Sequence, residues 1–366
     1  MSQTFEFTHQ EPPKEFKRPK PFYDQWQDGE GIPVYNAFHI SDLATLELAP
    51  WKRYGGKAAF VNMEDPHLTA AIVLELAPGE TLKPMKHMFE TWCYIVSGRG
   101  ATAIQQKGHQ DQTVKWRQHT LFAPPLNTTY THRNVETDRP ARILMVHNAP
   151  LCMNLYHNEE YIFENDFVFK DRYRGEQGYF NPSPEFLGGR IFRTNLIEDL
   201  RDFGLKEWNE RGKGNRTIFL SMSHHTIGAH ISEFETGTYK KAHRHGPGAH
   251  VILLKGTGYS LVWPEGKEPT RVDWKPGTMF APPDMWYHQH FNTGPEPARY
   301  LALKSVGNPE HRIRLGAPGP NMDPAFAQLH QIEHEDEPEW IFDMYVEELN
   351  KHGGTLRQER PAYRKT

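Results

Sequence analysis

His243 and His245 are separated by one residue, and His288 and His290 repeat that spacing, in a chain of 366 residues that holds 21 histidines. On a strand, side chains alternate with period two, so His-x-His places both imidazoles on one face, where they can share a metal ion. His288 follows the proline-rich turn in PPDMWYHQH and supplies a third ligand from a neighbouring strand. His290, two residues further on, points the same way and suits a proton-transfer role; the alternative is a hydrogen-bonded core histidine. Tyr239 and Lys241 continue the His243 face backwards and Trp286 continues the His288 face. Tyr239, Trp263 and Trp286 are therefore expected to line a pocket, and an inward Lys241 would pair with a substrate carboxylate.

The elements that must position these residues occur twice. Short β-rich runs with Gly and Pro punctuation fill Trp51 to Pro150 (AAIVLEL, WCYIVSGRG, ATAIQ, TLFAPP) and return from Thr217 to Val306. Gly79, Gly98, Gly100, Trp116, Thr120, Phe122 and Asn134 match Gly237, Gly256, Gly258, Trp274, Thr278, Phe280 and Asn292, always 158 residues on. A repeat without insertions across such a block sets the architecture. The first copy places Met85, His87 and Tyr130 where the second has His243, His245 and His288, and His132 where it has His290. One imidazole with a thioether and a phenol is a poor site for a hard divalent ion, so only the second copy is expected to hold metal.

Gly237, His243, His245 and Gly256, followed by Gly277, Pro283, His288 and Asn292, resemble the two motifs of the cupin superfamily, and two copies resemble a bicupin. The resemblance covers roughly 51–150 and 216–306. It implies an all-β chain of two β-sandwich barrels, of the double-stranded β-helix or jelly-roll kind, with His243, His245 and His288 as metal ligands. The family's glutamate ligand would fall seven residues before Gly256, which is Ala249; a different spacing would put His250 there. The strand face favours Ala249 inward and a vacant carboxylate position. HRHGPGAHVILLKG and WYHQHFN are similar in this respect to gentisate 1,2-dioxygenases and their salicylate and hydroxynaphthoate relatives, which hold iron with three histidines in their first cupin rather than their second. That likeness implies an Fe(II) dioxygenase acting on a small, oxygen-chelating substrate such as a hydroxy-aromatic acid, with dioxygen as co-substrate. Manganese, nickel or zinc serving as a Lewis acid in an isomerase, lyase or hydrolase is the rival expectation, and a non-catalytic small-molecule-binding bicupin is the third.

The rest of the composition narrows the partners. With 42 Lys+Arg against 46 Asp+Glu, the net charge of −4 argues against nucleic acid or an anionic membrane. Mean hydropathy of −0.73, no long apolar run and no apolar segment at the start fit a cytoplasmic protein. Two cysteines, Cys93 and Cys152, do not make a disulfide framework. No nucleophile elbow, P-loop, dinucleotide fingerprint or His-Glu-x-x-His is present. The expected layout is an N-terminal arm (1–50), a first cupin (51–150), a linker with a short helix at Asn195–Gly204 (151–215), a second cupin (216–308) and a tail (309–366). The tail's amphipathic helix, near Glu339–His352, carries Ile341, Met344, Tyr345 and Leu349 on one face. His224 and His225 read as loop or surface, and His230 as core. Arm and tail helix are candidates for exchange between copies in a homo-oligomer.

Overall fold

The computed structural model describes residues 17–63, 68–246, 248–311 and 330–364. Two all-β barrels are each made of a large sheet facing a smaller one. In the first barrel the large sheet runs Val34–Ala37, Lys57–Met63, Ala70–Leu76, Ala141–His147, Thr91–Ser97, Leu121–Phe122 and Leu196–Ile197; the small sheet is Thr129–Asn134, Arg99–Gln105 and Gln112–Arg117. In the second, Arg216–Ser221, Gly228–Phe234, Ala298–Lys304, Ala249–Lys255 and Met279–Phe280 form the centre of the large sheet. Its small sheet runs Thr270–Trp274, Gly258–Trp263, Tyr287–Asn292, Ala242–His243 and Gln331–Ile332.

The two large sheets pack against each other, so their strands are apolar on both faces. In Thr91–Ser97, Cys93 and Ile95 enter the first barrel while Trp92, Tyr94 and Val96 enter the layer between barrels. In Ala249–Lys255, Ala249, Val251 and Leu253 enter the second barrel while Ile252 and Leu254 face the shared layer. This double burial explains the continuous runs WCYIV and HVILL, which alternation with a solvated face would have broken. The repeated glycines have a packing cause. Gly98 and Gly256 have φ of +84° and +80°, and a Cβ would lie 2.6 Å from the Ala141 Cβ or 2.7 Å from the Ala298 Cα.

The arm is built into both barrels. Helix Phe22–Glu30 buries Tyr23 and Trp26 in the first barrel's core, and Val34–Ala37 pairs parallel with Lys57–Met63. His39–Ile40 then crosses to pair with Met279–Phe280 of the second barrel. Residues 1–16 of the expected arm lie outside the described residues. Between the barrels, helices form at Ala149–Tyr156 and Glu159–Phe163. The helix expected at Asn195–Gly204 is not formed: Leu196–Ile197 is instead an edge strand paired with Leu121–Phe122. Leu196 is buried against the first barrel's core while Ile197 and Leu200 sink into the shared layer, so tertiary burial decides over the local capping pattern.

The helix Glu339–Lys351 forms as expected and packs on its own chain. Ile341, Phe342, Tyr345 and Leu349 cover Tyr259, Leu261 and Phe291 on the outer face of the second barrel's small sheet. The Tyr345 hydroxyl donates to the carbonyl of Asn292, 2.9 Å away. Among the described residues, no helix is long and apolar enough to cross a membrane.

Candidate metal centre

His243 and His288 are direct cross-strand partners in the small sheet of the second barrel, and His245 follows on the turn beyond His243. One ring nitrogen from each lies within 4.8 Å of the others, and this is the one such group of His, Cys, Asp or Glu found among the described residues. The Nδ1 atoms of His243 and His288 lie 3.3 Å and 3.2 Å from the carbonyls of Lys241 and Trp286. Donation there fixes the tautomer and leaves Nε2 of both rings as a lone-pair donor. The Nδ1 of His245 is buried without a partner among the described residues. Burial holds His243 and His245 well below the ordinary imidazole value, and His288 down at about 3, so all three are neutral, as metal ligation requires. Three neutral, converging imidazoles, one with an orphaned nitrogen, fit a divalent ion.

Ala249 belongs to the second barrel's interior, while His250 follows the parity of Ile252 and Leu254 into the layer between barrels. The vacant carboxylate position is thus filled by a methyl group. Opposite Ala249, in register on the neighbouring strand, is Lys304, whose Nζ is 3.3 Å from the Nε2 of His245. A cavity of ≈ 30 Å³ opens beside the imidazoles, lined also by Arg211, His230, Ser232, Lys240, Tyr300 and Lys304. Arg211 comes from the short helical turn Asn209–Arg211 of the linker, and its guanidinium donates to the Gln331 side chain. Burial lowers it to about 10, which leaves it cationic at neutral pH.

The aromatic and lysine positions expected around the site divide. Trp286 packs against the barrel interior. Tyr239 and Trp263 instead belong to the cluster beneath the C-terminal helix, and the Tyr239 hydroxyl donates to Glu337. Lys241 turns outward to an ion pair with Glu333 at 2.5 Å, and Lys240 is the lysine that enters the cavity. The cause is local: regular strand pairing begins only at Ala242, so the period-two count from His243 fails across residues 239–241. His225, expected in a loop, is in a turn but fully buried. Arg211, Lys240 and Lys304 were not anticipated; a lone lysine in the apolar run RYLALK is the signal that could have marked Lys304.

His290 sits in a relay that the first barrel duplicates. The Trp274 indole N–H donates to Ser260 Oγ (3.0 Å), which lies 2.7 Å from His290 Nδ1. In the first barrel Trp116 donates to Thr102 Oγ1 (2.9 Å), which lies 2.7 Å from His132 Nδ1. The first barrel's counterpart of the imidazole group is closed: His87 contacts the Tyr130 hydroxyl at 2.7 Å through Nε2 and the Phe89 carbonyl at 2.8 Å through Nδ1.

No protein-family model matches the chain, and no curated protein is similar to it in sequence. Solved structures are similar in fold. Oxalate decarboxylase from Lactobacillus farciminis, as its formate complex, aligns with a TM-score of 0.51 at 14% identity, over 85% of this chain and 93% of that one. Two variants of Bacillus subtilis oxalate decarboxylase OxdC align with TM-scores of 0.51 and 0.50 at 16% and 14% identity. They cover 95% and 96% of this chain and 98% and 97% of theirs. The architecture is therefore that of an all-β bicupin.

Proposed function

We propose that this chain is a metal-dependent bicupin lyase that acts on a very small carboxylate in the second barrel. The observation that carries the reading is one cavity that reaches the imidazole group through His243 and His245 and is lined beside them by Arg211 and Lys304, with no carboxylate in its wall. Three imidazoles leave a divalent ion its full charge and open positions for substrate oxygens. Arg211 would take a carboxylate through its guanidinium fork, since among the described residues only Gln331 engages one of its donors. A cavity of ≈ 30 Å³ suits a handful of non-hydrogen atoms and is small for a hydroxy-aromatic acid. The fold shared with oxalate decarboxylases agrees with lyase chemistry.

Manganese, nickel, zinc and iron(II) all accept this donor set, and bound there the ion would polarise a substrate oxygen as a Lewis acid. Around it the chain's own residues have separate tasks. The carbonyls of Lys241 and Trp286 orient His243 and His288, and Arg211 would fix the substrate's charged end. The iron-dioxygenase reading draws on the same vacancy, the Ala249 methyl where a carboxylate ligand would otherwise occupy a coordination position.

The test is metal content per chain of protein purified without chelators, for the parent and a His288→Ala variant, followed by assays with small mono- and dicarboxylates. Bound metal lost in the variant, with carbon dioxide released and no oxygen consumed, is the expected result. Stoichiometric oxygen uptake would transfer the assignment to the dioxygenase. No metal after anaerobic reconstitution would overturn both.

A further inference from the structure

The second barrel carries a polar trio at three positions that the first barrel fills with hydrocarbon. In the first barrel Leu82, Leu74 and Ile143 are fully or almost fully buried core residues, and Leu74 and Ile143 are cross-strand partners. The equivalent positions in the second barrel are Lys240, Ser232 and Tyr300. Ser232 and Tyr300 are likewise cross-strand partners. Leu82 and Lys240 each donate their backbone N–H to the histidine of the relay, at the His132 and His290 carbonyls. The fold is thus satisfied by hydrocarbon at these three places. Only the barrel with the imidazole group replaces them by an amine, a hydroxyl and a phenol.

Lys240 is 4% exposed, and its Nζ lies 2.6 Å from Ser232 Oγ and 2.9 Å from the Tyr300 hydroxyl. No described carboxylate is within ion-pair distance of it, whereas Lys241 beside it has Glu333. Burial, reinforced by the nearby Arg211 charge, pushes the amine well below the ordinary lysine value. An amine that is desolvated, next to another cation and open to a cavity is the usual setting of a nucleophilic lysine.

We propose that Lys240 is an amine nucleophile that condenses with the carbonyl carbon of a small 2-oxo acid or 2-oxo aldehyde bound in the second-barrel cavity. The nitrogen lone pair forms the N–C bond while the carbonyl π pair moves to oxygen. The Tyr300 hydroxyl protonates that oxygen and recovers a proton from nitrogen, giving a carbinolamine. A second proton transfer through Tyr300 and Ser232 releases the oxygen as water and leaves the imine, with no net oxidation or reduction. Arg211, on the same cavity wall, receives the acid's carboxylate. The inference rests on the reading that this cavity takes a small carboxylate, but it needs no metal.

That independence sets the experiment. Full-length protein stripped of metal is incubated at pH 7 with glyoxylate and sodium cyanoborohydride, which reduces an imine to a stable secondary amine, and the modified lysine is mapped by peptide mass spectrometry. Lys240 is expected to be labelled saturably and at least about tenfold faster than exposed lysines such as Lys107. Lys240→Met should abolish that label, and Tyr300→Phe should slow it while the far-ultraviolet dichroism stays that of the parent. Label confined to exposed lysines, label at Lys304 with Lys240 unmodified, or equal rates in Tyr300→Phe would overturn the proposal. Because metal content and carbon dioxide release are read separately, loss of this inference leaves the lyase reading standing, and the converse also holds.

Discussion

Ala249 and Lys304 face each other in register across adjacent strands of the second barrel, so a methyl group and a basic side chain flank the imidazole group where a carboxylate would complete it. Substituting Ala249→Glu supplies the missing oxygen ligand. Affinity for a divalent ion, measured by competition with a chromophoric chelator, should rise by at least about tenfold, ~1.4 kcal/mol. In metal-free protein the same carboxylate is buried beside Lys304 and should give little or no gain in melting temperature. Unchanged metal affinity would show that Ala249 does not face the ion.

The duplicated relay separates structure from catalysis. Thr102→Val and Ser260→Ala each strand an indole N–H and an imidazole nitrogen inside a barrel, and each should cost about 1–3 kcal/mol in urea unfolding. Similar losses with turnover unchanged in Ser260→Ala would assign His290 to the scaffold. A fall in turnover beyond the stability loss, with a displaced pH profile, would give His290 the proton-transfer role.

Glu90 fastens the first barrel to the second. Its carboxylate accepts from the backbone N–H of Thr226 at 2.8 Å and of Ile227 at 3.1 Å, from the Thr226 hydroxyl at 2.7 Å and from Arg172 at 3.0 Å. Burial raises its carboxyl, but His225 and the Thr226 donors more than offset this, so it remains an anion. Glu90→Ala leaves those donors and Arg172 unpaired and should destabilise the protein by about 3–5 kcal/mol in denaturant titration. A loss under about 1 kcal/mol would mean that water replaces the clamp without penalty.

Acid should weaken the same layer. Burial holds His225 and His250 at about 4, against 6.5 for a free imidazole. Between pH 6.5 and 4 the unfolded chain takes up protons that these two buried rings refuse, so their contribution to stability is lost as pH falls through this window. Each ring accounts for roughly 3 kcal/mol over the full interval. Urea unfolding at stepped pH is the measurement. His250→Phe should flatten the slope, whereas an unaltered slope would place the linkage elsewhere.

Much of this architecture was legible because the repeat is rigid. The constant offset from Gly79–Gly237 to Asn134–Asn292 preserves each turn glycine; His243 and His245 were read from their one-residue spacing, His288 from the proline-rich turn before it, and inward Ala249 from its distance to Gly256 and its strand face. Parity failed where pairing is irregular, at residues 239–241, which exchanged Lys241 for Lys240 and sent Tyr239 under the C-terminal helix. Trp263 was misplaced for a simpler reason, since both faces of its sheet are apolar and carry aromatics. Arg211 reaches the cavity from the linker, a tertiary contact that no local period encodes.

The crossing of His39–Ile40 onto Met279–Phe280 has a consequence for biosynthesis. The ribosome makes this edge strand about 240 residues before its partner, which at about 5–20 residues per second is a wait of roughly 10–50 s. Throughout that interval the first barrel can close, yet its outer apolar face and the waiting strand have nothing to cover them. Docking of Met279–Phe280 and the second barrel's large sheet, rather than the closing of the first barrel, is then the event that ends its vulnerability to aggregation.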